Sequence, residues 1–294
     1  FQAVDASGQL NLTQNPDADI TVFAPNNSAF ADIDTEAALA DQNSQLLEEI
    51  VQYHVLPQSV LSGDIEPGIV PTALEINDES TALGNELLIT ERDGNLFVNG
   101  AQVVEDNLEA ENGVLHIVDG LLLENLPLVN RLELTSSTQA LVGLASQAEL
   151  VENFATAENW TVFAPINGAL DEVDPADFSQ EELQQILQYH VIDSDELADI
   201  DGPIDAATLE SLLADNGGEL EVETLQGESI TFTETDSGIS INGDVALVDG
   251  GTDRFAGGVN QAGDGFVNVF HLIDGLLLPP SLQPTEATPI AEAR

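Results

Sequence analysis

The residues best suited to chemistry in this 294-residue chain are four histidines, and they fall in two recurring settings. Tyr53-His54 and Tyr189-His190 each lie in "QYHV", while His116 and His271 open "HIVDGLLL" and "HLIDGLLL". A histidine with a tyrosine beside it offers two groups able to pass a proton. Each pair, however, ends an amphipathic stretch just before a valine. There an imidazole can satisfy free helix carbonyls and favour the helix dipole. His116 and His271 stand among Leu, Ile and Val. All four are therefore expected to be buried polar groups of the fold, with Tyr53, His54, Tyr189 and His190 structural rather than catalytic. Carboxylates are abundant, and "DAD", "DID", "DSD" and a second "DID" offer oxygen ligands of the kind Ca2+ takes. None follows the twelve-residue calcium-loop pattern. The best-placed acids for Ca2+ or a small ligand are Asp249, Asp253 and Asp264, in a Gly-rich stretch. The chain has no G-x-S-x-G, phosphate loop, H-E-x-x-H or cysteine, so neither an enzyme nor a cofactor is expected. Three N-x-[ST] sequons, at Asn11, Asn26 and Asn159, would be glycan acceptors in an exported chain. Asn26 is the least suited, because it sits where a helix cap is expected.

Charge narrows the partners. Asp and Glu total 54 against 4 basic residues, giving a net charge of −50, and all four bases are arginine. Such a chain repels itself in dilute salt. At molar salt the screening length falls to about 3 Å and most of that repulsion disappears. The composition reads as adaptation to high salinity, and it excludes nucleic acid and anionic membranes as partners. With 43% apolar residues but only 5% aromatic, the cores must be built from Leu, Ile, Val and Ala. No apolar run approaches the roughly 20 residues of a membrane helix. The chain opens at Phe1 rather than Met, which reads as a processed or trimmed end.

The recurrence extends beyond the histidines. "TVFAPNNSAF" (21–30) returns as "TVFAPINGAL" (161–170), "QYHV" (52–55) at 188–191, and "VNG" (98–100) as "ING" (241–243). With the closing octamers these matches keep one order, so the chain is a tandem duplication. The offset grows from 143 at "ING" to 155 at the octamers, which places an insertion in the second copy near 250–265. The boundaries expected are 1–124 for a first domain with a short N-terminus and 125–134 for a linker. A second domain follows at 135–280, then a tail at 281–294. Within each copy, "SQEELQQILQYHV" opens with a Ser179/Glu182 capping box, and "TALVGLASQAELVENF" spaces Leu141, Leu144, Ala148 and Val151 as a helix. "ELEVETL", "SITFTET", "NLFVNG" and "VLHIVDG" alternate as strands. This is an α+β pattern with helices beside antiparallel strands.

The "TVFAP" segments, the two "YHV" segments and the two "DGLLL" closings together resemble the fasciclin (FAS1) family, in family order across residues 1 to about 280. The resemblance implies two β-wedge domains with flanking helices, in a non-enzymatic extracellular or cell-surface protein of adhesion or matrix. It also associates the Tyr-His segment with receptor binding. The partners expected are other proteins or the chain itself. Assembly into filaments would follow if the tail docked by strand addition on the first domain of a neighbouring copy.

Overall fold

The computed structural model describes residues 15–31, 33–39, 44–74, 85–92, 94–123, 126–171, 173–197, 200, 202–248, 251–259 and 266–283. In the first copy the order is β1 (Ile20–Pro25), α1 (Thr35–Ala38), α2 (Ser44–Tyr53), β2 (Val55–Leu56), β3 (Gly68–Pro71), β4 (Glu86–Arg92), β5 (Asn95–Val98), β6 (Ala101–Ala110) and β7 (Gly113–Val118). Between the copies lies α3 (Leu128–Leu134), and the second copy opens with α4 (Gln139–Gln147) and α5 (Val151–Ala155). It continues with β8 (Trp160–Pro165), α6 (Asn167–Leu170), α7 (Gln180–Tyr189), β9 (Val191–Asp193) and α8 (Ala206–Asp215). Its last strands are β10 (Glu219–Glu223), β11 (Ser229–Thr235), β12 (Gly238–Ile241), β13 (Val245–Ala246), β14 (Arg254–Val259) and β15 (Phe266–Ile273).

The strands are not all antiparallel, as the alternation alone suggested. Each "TVFAP" strand pairs parallel with the closing strand of its own copy, β1 with β7 and β8 with β15. Two strands separated by most of a domain can meet with either polarity, and period-two patterning does not report which. The remaining named pairs are antiparallel.

In the first domain one seven-stranded sheet runs β2-β1-β7-β6-β5-β4-β3. The second domain divides the same set into β10-β11-β12-β13 and β14-β15-β8-β9. The division falls where β6 is continuous over ten residues and its counterpart is broken into β13 and β14. The extra residues of the second copy thus split a strand as well as lengthen a loop.

Successive residues of "TVFAP" serve opposite faces, as the pleat requires. Phe23 and Phe163 are fully buried in the wedge cores. Phe163 packs with Phe232, Ile241, Ile273 and Leu277. On the other face, Val162 and Ala164 meet Leu128, Val129, Leu132, Leu141, Leu144 and Phe154 from the opening helices. The helix expected through Val151 is interrupted. Glu149 adopts φ 57°, which ends α4, and α5 restarts with Leu150 and Phe154 inward while Val151 is 37% exposed.

Residues 125–134, expected as a linker, contain α3, which is buried on both sides. Leu128, Val129 and Leu132 belong to the helical core of the second domain, whereas Leu126 and Leu134 belong to the wedge core of the first. The Asp34 N–H donates to Leu134 O at 2.9 Å, Ile33 bridges to Thr135, and the Gly257 N–H donates to Leu126 O at 2.6 Å. Truncating Leu134, outside the first copy by sequence, should therefore destabilise the first domain. We expect Leu134→Ala to cost about 2–5 kcal/mol and to speed amide hydrogen exchange in β1 and β7. Unchanged exchange there would show that the two cores are energetically separate.

Candidate functional site

The Tyr-His segments are the strongest candidates, and each closes its domain from within. The His54 Nδ1–H donates to Ile50 O at 2.7 Å, and the Leu122 N–H donates to His54 Nε2 at 3.1 Å. The second copy repeats this with His190 to Ile186 O at 2.7 Å and the Leu277 N–H to His190 Nε2 at 3.0 Å. A ring that donates through one nitrogen and accepts through the other is neutral. Burial pushes both histidines down to about 4, against a smaller upward pull from the carbonyl bond. The charge–dipole attraction expected at these helix ends is therefore replaced by hydrogen bonding. An uncharged imidazole ties the end of α2 or α7 to the "DGLLL" loop.

His116 and His271, paired with Phe23 and Phe163 in the parallel ladders, brace other segments. Their Nε2–H groups donate to Val60 O at 3.0 Å and Ile204 O at 2.8 Å. Their Nδ1 atoms accept from the N–H groups of Asn107 at 3.4 Å and Asp253 at 3.3 Å. The rings stack on Phe23 and Phe163 with centroids 5.6 and 5.5 Å apart. Burial lowers the His271 pKa, while its bond to Ile204 and then the charges of Asp253 and Asp205 pull it upward.

The tyrosines are also turned inward. Tyr53 donates its hydroxyl to Glu86 O at 2.6 Å and accepts from Asn99 Nδ2 at 2.8 Å, while Asn99 Oδ1 takes the Leu88 N–H at 2.7 Å. Tyr189, Ser229, Asn242 and Thr231 repeat the arrangement at 2.8, 3.1 and 2.9 Å. Asn99 and Asn242 have φ of 47° and 52°, a left-handed conformation that asparagine tolerates better than most residues. Sequence reasoning gave these asparagines no role, although the recurrence of "VNG" and "ING" was the signal. The closing motif is similarly occupied. Asp119 accepts from the Gln102 N–H and Asp274 from the Ala246 N–H, both at 2.7 Å. A Cβ on Gly275 would come within 2.7 Å of Val245.

The other candidates do not converge. Asp249 and Asp264 lie outside the described residues. Asp253 Oδ1 accepts the Ala206 N–H at 2.6 Å and lies 3.9 Å from His271 Nδ1. Among the described residues no group of three or more His, Asp or Glu is placed to hold a metal ion. Of the sequons, Asn11 is outside the described residues. Asn26 caps the turn at 27–30, its Oδ1 accepting from the Ala29 N–H at 3.0 Å. Asn159 donates to Asp195 Oδ1 at 2.8 Å. An open cleft of about 400 Å³ in the first domain is lined by Ser62, Ile65, Glu91, Asn95, Leu96 and Glu105, among others. Its acids Glu91, Glu105 and Asp106 are exposed, and the Ser62 hydroxyl that lines it with them donates to Asp106 Oδ2.

Two matching wedges, each closed by a Tyr-His helix end and a "DGLLL" loop, define a duplicated fasciclin-type fold. Residues 1–124 and 136–279 each match the Fasciclin domain, and the chain belongs to that family. Protein sll1483 of Synechocystis sp. is 33% identical over 106 residues, covering 35% of this chain and 54% of that protein. Transforming growth factor-beta-induced protein ig-h3 of Oryctolagus cuniculus is 27% identical over 201 residues, covering 67% of this chain and 27% of that protein. The chain thus spans about half or less of the length of these relatives. Among solved structures it is similar to a FAS1 domain pair from the insect cell adhesion molecule Fasciclin I, at a TM-score of 0.41 and 15% identity, covering 95% and 96% of the two chains. No described helix is long and apolar enough to cross a membrane.

The neutral histidines predict an acid-sensitive fold. An unfolded chain takes up protons on His54 and His190 below the ordinary value of 6.5, while the folded chain resists until about 4. The unfolded state then binds more protons, so stability is complete above pH 6.5 and falls as pH drops towards 4. The loss is roughly 3 kcal/mol per histidine. Urea melts at molar salt, where carboxylate repulsion is screened, should show this slope, and His190→Ala should reduce it. An identical slope in the variant would assign the acid sensitivity to other groups.

Proposed function

We propose that this protein is a non-enzymatic adhesion or matrix component, extracellular or held at a cell surface, which works through its surfaces in a high-salt setting. The observation that carries the reading is the inward placement of the polar side chains that both copies share. Tyr53, His54, Asn99 and His116, with their counterparts, all spend their hydrogen bonds on the fold. A receptor reading of the Tyr-His segment would require contact with side chains that are 0–6% exposed. Membership of the Fasciclin family supports the adhesive reading. The charge of −50 supports the setting, because like-charged copies can approach closely only when salt or cations screen them.

The finer part of the proposal is self-assembly through the tail, residues 281–294. Its first residues are held to the second domain. Ser281 Oγ bonds Glu228 Oε2 at 3.3 Å, and Gln283 Nε2 donates to Leu278 O at 3.0 Å. The tail therefore leaves from a fixed point, which favours a head-to-tail contact with the next copy's first domain and so an open filament. Electron microscopy from dilute to molar salt should show filaments at high salt for the full chain and dispersed particles for a chain ending at Gln283. Filaments that survive the truncation would defeat tail docking. Monomers at every salt concentration would defeat self-assembly and leave the adhesive reading standing.

A further inference from the structure

The two copies differ in length between two points that the fold itself aligns. The Ser62 N–H donates to Asn107 Oδ1 at 2.8 Å and the Ala206 N–H to Asp253 Oδ1 at 2.6 Å, so Ser62 and Ala206 correspond. Further along, Thr72 and Thr224 correspond, since the next N–H of each copy returns to the strand after the Tyr-His helix, Ala73 to Val55 O and Leu225 to Val191 O. Ten positions separate Ser62 from Thr72, but eighteen separate Ala206 from Thr224. The second copy uses the added length to build α8. Leu209 and Leu213 of that helix are at most 2% exposed, and Leu212 packs on the same core as Ile239 and Leu247. The first copy makes only the turn Ser62–Asp64. There Ile65 takes the place of Leu209, and the exposed Glu66 and Pro67 lead directly into β3. Leu212 and Leu213 have no counterpart.

The first domain has its cleft of about 400 Å³ here, a volume within the range of small-molecule sites. Ile65, Leu96 and Val103 line it, and the last two correspond by their places in the ladders to Ile239 and Leu247. The pairing of β6 is irregular between Val103 and Glu105 and again between Glu105 and Leu108. Bulges of this kind re-aim side chains, which is how Val103, Val104, Glu105 and Asp106 all come to line one cleft. Asn107 fastens this wall to the turn, its Nδ2 donating to Ser62 Oγ at 2.7 Å and to Asp106 Oδ2 at 3.0 Å. Glu91 adds a third exposed carboxylate, and no base is among the residues lining the cleft. These acids are not grouped to hold a metal ion. Methylene groups suit the apolar part of the lining and ammonium groups suit the three carboxylates. We propose that this cleft binds a linear aliphatic polyamine, whose alternating methylene and ammonium groups satisfy both. The inference uses neither the tail nor the adhesive reading.

The test titrates spermidine into the intact, isotope-labelled chain at molar salt, where diffuse attraction to the acidic surface is screened. Amide NMR shifts should saturate at Ser62–Ile65, Leu96 and Val103–Asp106 and be absent from Leu209–Leu213, where α8 fills the corresponding place. Hexaamminecobalt(III) has the charge of spermidine without its methylenes, and hexanediol has methylenes without charge. Each should bind about tenfold more weakly or worse. Glu91→Gln with Glu105→Gln should weaken spermidine binding about tenfold or more. Glu221→Gln with Glu223→Gln removes the same charge from exposed positions of β10 and should leave binding unchanged, and the amide spectra verify that both variants fold. Absence of saturable shifts, equal binding of the cobalt complex, or equal weakening by both variants overturns the proposal. Binding that appears only in Arg92→Gln also overturns it, because the chain's own guanidinium then fills the cleft. A lysine-bearing peptide that displaces spermidine at lower concentration assigns the cleft to a partner's side chain instead.

Discussion

An uncharged imidazole at the end of a helix is the constraint on which each domain depends. His54 and His190 each receive a backbone N–H from the closing loop and give a proton to a carbonyl one turn back in the helix. Both contacts are buried, so neither backbone group can turn to water instead. An unsatisfied buried donor or acceptor costs about 1–3 kcal/mol, and removing one ring leaves one of each. The loop held in this way carries Leu122 and Leu123 in the first domain and Leu277 in the second, all core residues. Helix, loop and core are thus secured by one ring, with the tyrosine beside it fastening the same helix end to the wedge strands.

Much of this was legible in the sequence because duplication supplied an internal control. "TVFAP", "YHV", "NG" and "DGLLL" recur in order, and each recurrence corresponds to a repeated contact in the structure. The capping box read from Ser179 and Glu182 is present with both of its hydrogen bonds. Elements outside the repeats were harder to read. The parallel pairing of β1 with β7 left no local mark, because polarity is set by the path of the chain between strands. Residues 125–134 read as a linker because they fall between the two copies with Pro127 as punctuation, although apolar residues lie all round the segment. That pattern belongs to a helix buried on several sides, and here two cores claim it. The partners of Tyr53 and Tyr189 are 46 and 53 residues away, beyond what spacing alone can join.

The copies have diverged where they meet their surroundings and agree where they meet themselves. The second domain splits its sheet and carries a full helical layer. The first keeps a continuous seven-stranded sheet. The Tyr-His-Asn framework inside stays common to both copies.

The placement of α3 also has a mechanical consequence. A flexible connection between two domains straightens under tension and absorbs the first load. Here the connecting segment is anchored by Leu126 and Leu134 in one core and by Leu128, Val129 and Leu132 in the other. Pulling on the two ends of the chain cannot lengthen the joint without extracting side chains from a packed interior. The pair should therefore transmit force as a stiff unit, with slack becoming available only when a domain begins to open.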